Sequence, residues 1–293
     1  MSGFGGQTMA GRLERVMVAS PRTAGWSDER AEDWKTLGFG HAPQVSVALS
    51  QHSLLERKLV EAGADVVQLP AAAALTLDAA YAHDSSFMTD HGVILLRPGK
   101  RNRRAEVAVH AALYRDLSIP ILGMLTEPAT CESGDMLWLD ATTLLVGYSL
   151  RTNRAAISQL RAMLGHKGIE VMEAAVPYGL GEKHCLHLLS FMSPLSDEPR
   201  RMVVDIEWLS VETVELLRAK GYELILIDTA ERETLAANVL ALGDGRVIAI
   251  AANERTNRRM EERGLEVEVF DADEICINGS GGPTCLTRPL LRS

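Results

Sequence analysis

Apolar residues along this chain fall into two spacings. Short β-branched runs read as strands, and segments with apolar residues three and four positions apart read as helices. One order of these recurs: an apolar entry strand, a polar stretch, a second strand, a tight turn, a third strand and a helical segment. The entry strands are 63–70, 118–125, 168–174, 221–228 and 264–271. Four of them begin on a glycine (Gly63, Gly168, Gly221, Gly264), directly after the helical segments 54–62, 156–167, 211–220 and 257–263. Glycine in that place predicts a helix C-cap, because it enters the left-handed region without steric cost. The second strands are 85–88, 135–139, 186–192, 238–242 and 285–290. In several units a turn, as at Asp90-His91-Gly92, Asp140-Ala141 and Gly243-Asp244-Gly245, returns the chain into 93–96, 143–146 or 246–250.

Repetition at roughly fifty residues predicts radial or stacked units, here an α/β ring of five ββα-type repeats around a central cavity, with an ordinary α/β sheet as the alternative. The polar residues favour the ring. Asp84, Glu132, His187, Asn238 and Cys285 each stand at or just before the second strand of successive units. Equivalent strand ends in a ring meet at its axis, so residues far apart in sequence would share one cavity. Asn238 belongs to a unit with no ionisable group and reads as a structural polar residue at the rim.

Composition narrows the setting. A chain of 293 residues, 46% hydrophobic, can bury a large core as one catalytic domain over 1–293, with 1–14 as a flexible N-terminal extension. A formal net charge of -9 argues against nucleic acid as a partner, the one basic cluster being Lys100-Arg101-Asn102-Arg103-Arg104. No run of about 18 apolar residues suits a membrane span, and the polar N-terminus lacks the apolar stretch of a signal peptide, so a cytoplasmic protein is expected. Four cysteines (Cys131, Cys185, Cys276, Cys285) are too few and scattered for a disulfide framework, which fits a reducing compartment.

Cys285 follows Gly279-Ser280-Gly281-Gly282-Pro283-Thr284. Small residues let the backbone bend and present a thiol, which reacts as an exposed thiolate. A thiol, an imidazole and two carboxylates around one hole form an unusual set, because a second acid facing the sulfur opposes thiolate formation. A cation between them resolves the conflict. A guanidinium fits, being planar and permanently charged, with N–H pairs that match carboxylates and a central carbon open to the sulfur. This chemistry calls for no metal and no organic cofactor. A Cys/His metal set from Cys131, His184, Cys185 and His187 is a weaker alternative, lacking close paired spacing.

The runs Leu77-Asp78-Ala79-Ala80-Tyr81-Ala82-His83-Asp84, Leu96-Arg97-Pro98-Gly99 with Arg103-Arg104-Ala105-Glu106, Glu132-Ser133-Gly134-Asp135, Gly147-Tyr148-Ser149-Leu150-Arg151-Thr152-Asn153, Leu186-His187-Leu188 and Gly281-Gly282-Pro283-Thr284-Cys285 together resemble the guanidino-group-modifying enzyme superfamily. Within it the chain is most similar to the dimethylarginine dimethylaminohydrolases. The resemblance covers nearly the whole chain and implies the five-bladed α/β propeller called the pentein. It implies Cys285 as nucleophile, His187 as general acid and base, Glu132 as its partner, and Asp84 and Asp78 as substrate-binding acids. Arg103 and Arg151 match positions that grip the carboxylate of an arginine-like substrate. His83 departs from the pattern, replacing an acid, and is expected to set which substituted guanidinium is accepted. Residues 21–43 read as a hinged lid or a surface loop. The expected activity is hydrolysis of a guanidino C–N bond. An amidinotransferase and a non-catalytic guanidino-acid binder are the alternatives, and a homodimer is left open.

Overall fold

The computed structural model describes residues 3–27, 33–179, 181 and 187–293. The chain enters as β1 (Leu13–Val18), passes through α1 (Trp34–Leu37) and α2 (Val45–Glu61), and returns as β2 (Asp65–Gln68) parallel to β1. A hairpin of β3 (Ser86–Thr89) and β4 (Gly92–Leu95) follows, then α3 (Glu106–Asp116) and β5 (Ile121–Met124) parallel to β4. The same unit recurs as β6 (Met136–Asp140), β7 (Thr143–Tyr148), α4 (Arg154–Leu164) and β8 (Glu170–Ala175). A helical turn, α5 (Leu188–Phe191), opens the next unit of β9 (Met192–Asp197), β10 (Arg200–Val204), α6 (Val211–Ala219) and β11 (Glu223–Leu226). The last complete unit is β12 (Leu240–Gly243), β13 (Arg246–Ile250), α7 (Glu254–Glu261) and β14 (Glu266–Phe270). Finally β15 (Thr287–Arg292) pairs antiparallel with β1, so both chain ends build one sheet.

Among the described residues the strands form five three-stranded sheets, the α/β propeller expected from the repeat. Each ββα unit carries a closing strand in addition, because a helical crossover returns the chain parallel to the middle strand. The entry strands thus belong to the sheet before them. Inner and middle strands such as β3 and β4 are buried along their whole length, while the outer β2 and β5 are half exposed. Apolar cores lie between neighbouring sheets, as where the rings of Phe87 and Trp138 meet at 5.4 Å beside Ile94 and Val146. The four predicted capping glycines all have positive φ, from 76° at Gly168 to 92° at Gly63.

Two expectations need correction. Residues 188–191 form α5, and the strand read over 186–192 begins only at Met192. His187 N–H donates to Ser190 Oγ at 3.1 Å and Ser190 N–H to His187 O at 2.9 Å, which closes a turn. A short apolar run such as Leu-Leu-Ser-Phe does not reveal this by periodicity. The N-terminal segment is no loose extension from Gly3 onward. Gly5 N–H donates to Leu290 O at 2.9 Å, Arg292 N–H to Gly5 O at 3.0 Å, and Arg12 and Ser293 exchange both backbone bonds. These contacts cover the edge that β15 would otherwise expose. No described helix is long and apolar enough to cross a membrane.

Candidate active site

The turns that precede β3, β6, β9, β12 and β15 are joined in a closed circuit. His83 N–H donates to Cys285 O at 3.1 Å, and Ser133 N–H to Asp84 O at 3.1 Å. Leu188 N–H donates to Asp135 Oδ1 at 3.1 Å. Asn238 Nδ2 donates to Leu189 O at 3.1 Å, and Thr284 N–H to Asn238 Oδ1 at 3.1 Å, which returns the circuit to Cys285. Each sheet is thus stapled to the next at its axial end. Arg288, three residues beyond Cys285 and 3% exposed, adds a cross-brace by donating through Nη1 to Ser86 O and Ser133 Oγ, both at 2.7 Å.

Asp84, Glu132 and His187 converge inside this circuit, with one side-chain N or O atom from each within 4.8 Å of the others. His187 Nε2 lies 3.0 Å from Glu132 Oε2. Glu132 Oε1 accepts from Lys100 N–H at 2.9 Å and faces Arg151 Nη1 at 3.4 Å. The His187 ring lies against the backbone at Gly134, where an added Cβ would stand 2.3 Å from Nδ1. Only glycine permits that approach. Asp84 Oδ1 accepts from Gly134 N–H at 3.0 Å, and its other oxygen accepts from Arg103. Burial pushes the Asp84 carboxyl up, but Arg103, aided by His187, His83 and the Gly134 N–H, outweighs it and leaves the group well below the usual carboxylate range. Burial likewise raises Glu132, and the hydrogen bond and charge of His187 reverse the sign, so it too is held low. Two ionised carboxylates beside one imidazole make a pocket that favours a flat cation.

The arginine deiminase family model matches residues 78–198 and 205–292. The chain belongs to the arginine deiminase family. Its relatives include an uncharacterised protein YkgA of Bacillus subtilis, 29% identical over 98% of this chain and 94% of that protein. An arginine deiminase of Listeria monocytogenes is 26% identical over 72% of this chain, which spans 60% of that enzyme's length. Among solved structures, dimethylarginine dimethylaminohydrolase of Pseudomonas aeruginosa, complexed with citrulline, superposes with a TM-score of 0.73 at 22% identity, covering 94% of this chain and 99% of that one. The amidinotransferase SxtG of Microseira wollei gives 0.78 at 18% identity over 99% and 97%. The fold is therefore that of the guanidino-modifying penteins.

The residues that the sequence offered as site residues fall into three groups. Asp84, Glu132 and His187 meet as described, Cys285 stands on the same circuit, half-buried, and Arg151 lines the Glu132 side. Asp78 lies in a buried helical turn over Leu77–Ala80, where its Oδ2 accepts from Lys100 Nζ and Asn102 Nδ2, both at 2.7 Å. The same Lys100 Nζ donates to Leu37 O at 2.5 Å, which ties residues 33–43 to the site. Gly40 N–H and Gln44 N–H are bonded to Asn278 and Glu274, and the Phe39 ring packs edge-on against Trp26 at 5.5 Å. The segment read as a lid is thus held by bonds to Lys100, Glu274 and Asn278, residues 28–32 lying outside the described residues.

Arg103 and His83, both expected to contact substrate, are buried and bonded within the fold. Arg103, 4% exposed, spends its donors internally: Nε on Glu106 at 2.9 Å, Nη1 on Asp84, and Nη2 on Tyr81 O at 2.6 Å and Glu106 at 3.0 Å. It braces Asp84 and commits four of its five N–H donors to the fold. His83 is 1% exposed, its Nδ1 bonded to Thr287 O at 2.7 Å. His83 also lines a small cavity with Met9, Leu189, Val239 and Arg292. Burial and Arg288 lower its pKa to about 3, and it stays neutral. In the alternative metal set, His184 and Cys185 lie outside the described residues. Asp84, Glu132 and His187 could themselves ligate a cation, yet they are the groups that would hold a guanidinium. The sequence reading also placed Asn238 at the rim, whereas its Nδ2 donates to Cys285 Sγ at 3.4 Å.

Proposed function

We propose that this protein hydrolyses a C–N bond of a guanidino group in an arginine-like substrate, with Cys285 as nucleophile. The meeting of Asp84, Glu132 and His187 within 4.8 Å, on one hydrogen-bonded circuit with Cys285, carries this reading. Both acids are ionised, and a guanidinium offers each a pair of charge-assisted N–H donors. Held flat between them, it presents its carbon to the sulfur, and its charge favours the thiolate.

The Cys285 thiolate adds to the guanidinium carbon and forms a C–S bond. His187, paired with Glu132, gives its proton to the departing nitrogen as the C–N bond breaks, leaving a cationic thiouronium on the sulfur. Water then adds to the same carbon while His187 takes its proton. Collapse breaks the C–S bond, restores the thiolate and releases the ureido product. The sum is guanidinium plus water to ureido compound plus ammonium or alkylammonium. Arg151, whose Nη1 lies 3.4 Å from Glu132 Oε1, would then meet the carboxylate of the substrate.

The test is a product assay. Incubation with L-arginine and its N-methylated derivatives, with and without glycine, should yield citrulline and the matching amine at a rate independent of glycine. Amidination of glycine without citrulline would instead identify a transferase. Unchanged compounds across a broad guanidino panel would reject the catalytic reading.

A further inference from the structure

The carboxamide of Asn238 is fixed at three points. Oδ1 accepts from Thr284 N–H at 3.1 Å, Nδ2 donates to Leu189 O at 3.1 Å, and the second Nδ2 hydrogen faces Cys285 Sγ at 3.4 Å. Reversing the amide would set N–H against N–H and oxygen against oxygen, so its orientation is decided by its neighbours. The side chain is 4% exposed, and Thr284 Oγ1 adds a bond to Val239 O at 3.0 Å, which holds the residue before the nucleophile to the same strand end. Gly282 is part of the fit: an added Cβ there would stand 2.4 Å from Asn238 Oδ1.

We propose that Asn238 is the positioning residue of the nucleophile, aiming the Cys285 sulfur through Thr284 and directing an N–H at it that favours the thiolate over the thiol. A thiol shares its hydrogen and accepts weakly, whereas a thiolate gains a charge-assisted bond from a donor already in place. The same donor steadies the sulfur as it leaves the carbon after hydrolysis. The inference rests on Cys285 being the attacking sulfur, but its test needs no substrate.

The rate of Cys285 alkylation by iodoacetamide is measured against pH, read on the Cys285 peptide by mass spectrometry so that other thiols do not contribute. Asn238→Ala should raise the midpoint by about 1 pH unit, close to tenfold less thiolate at a given pH, the effect of losing one hydrogen bond to a charged group. Asn238→Asp should raise it further, because a carboxylate then faces the sulfur. That order separates an electrostatic role from a structural one, since Asp keeps the shape and the bond from Thr284 and a structural role would make it the milder change. Where the alanine chain fails to fold, Asn238→Ser carries the same prediction. Midpoints within about 0.3 unit of the parent chain, or an Asp variant that matches the parent while Ala does not, would overturn the proposal. Guanidino turnover in the same variants reports separately, so a correct Asn238 role with no turnover would fault the proposed reaction and not this inference.

Discussion

Two buried acids, Asp84 and Glu132, stand at equivalent places on neighbouring sheets and are treated in opposite ways. Asp84 is backed by a cation of the fold: Arg103 grips it and is gripped in turn by Glu106, whose second oxygen accepts from Ser85 Oγ at 2.7 Å. Every partner there is internal, and the charge is compensated before any ligand arrives. Glu132 instead shares its oxygens with a backbone N–H, a titratable imidazole and an arginine on the wall of the site. The same residue chemistry makes a fixed anchor on one sheet and a proton-handling pair on the next. Burial alone does not tell the two apart, because both acids are at most 5% exposed. What separates them is whether the partner can change charge.

The largest expected effect lies outside both acids, at the sulfur they serve. Cys285→Ser should reduce turnover of any accepted guanidino compound by at least about 10⁴-fold without loss of fold, checked by steady-state assay and circular dichroism. On the anchored side, Arg103→Met should cost about 3 to 5 kcal/mol in urea unfolding, since it strands Asp84 and Glu106 as buried unpaired acids. On the proton-handling side, Glu132→Gln keeps the shape and should leave stability nearly unchanged while kcat falls about 10²-fold, because His187 loses its ionic partner. If Arg103→Met and Glu132→Gln gave the same profile, the contrast between the two acids would be wrong.

A smaller effect is set by pH. His83 and His110 both have pKa values lowered to about 3, mainly by burial, against 6.5 unfolded. The unfolded chain therefore takes up their protons first on acidification. Stability should hold above pH 6.5 and fall below it by about 1.4 kcal/mol per pH unit for each histidine, down to about pH 3. Urea midpoints at pH 7 and pH 5 measure the slope, which His110→Gln should make shallower. The smallest effect is expected at the edge of the site, where Arg151→Met should raise KM for carboxylate-bearing substrates about tenfold with kcat nearly kept.

Much of this was legible in the chain. The capping glycines and strand runs marked the fivefold repeat, and the polar residue before each inner strand marked the axis. What the sequence hid was direction. Nothing in Lys-Arg-Asn-Arg-Arg says which arginine turns inward, and the acid that claims Arg103, Glu106, reads as an ordinary first-turn helix residue. His83 neighbours a site residue in sequence, but its Nδ1 is bonded to Thr287 O and it lines the small cavity. Asn238 carries no charge, so its link to the sulfur was visible only once the last turn met the turn before it. The pairing of β1 with β15 was hidden for a similar reason: a sheet made from both chain ends leaves no local signal.

The proposed reaction requires a guanidino carbon to become bonded to Cys285. Mixing the protein with a guanidino compound it turns over, quenching in acid within the first turnovers and weighing the intact protein and its peptides tests this directly. An added mass equal to the substrate less its departing amine is expected on the Cys285 peptide, and none in Cys285→Ser. Steady turnover with no adduct at any quench time, or an adduct on another residue, would contradict it.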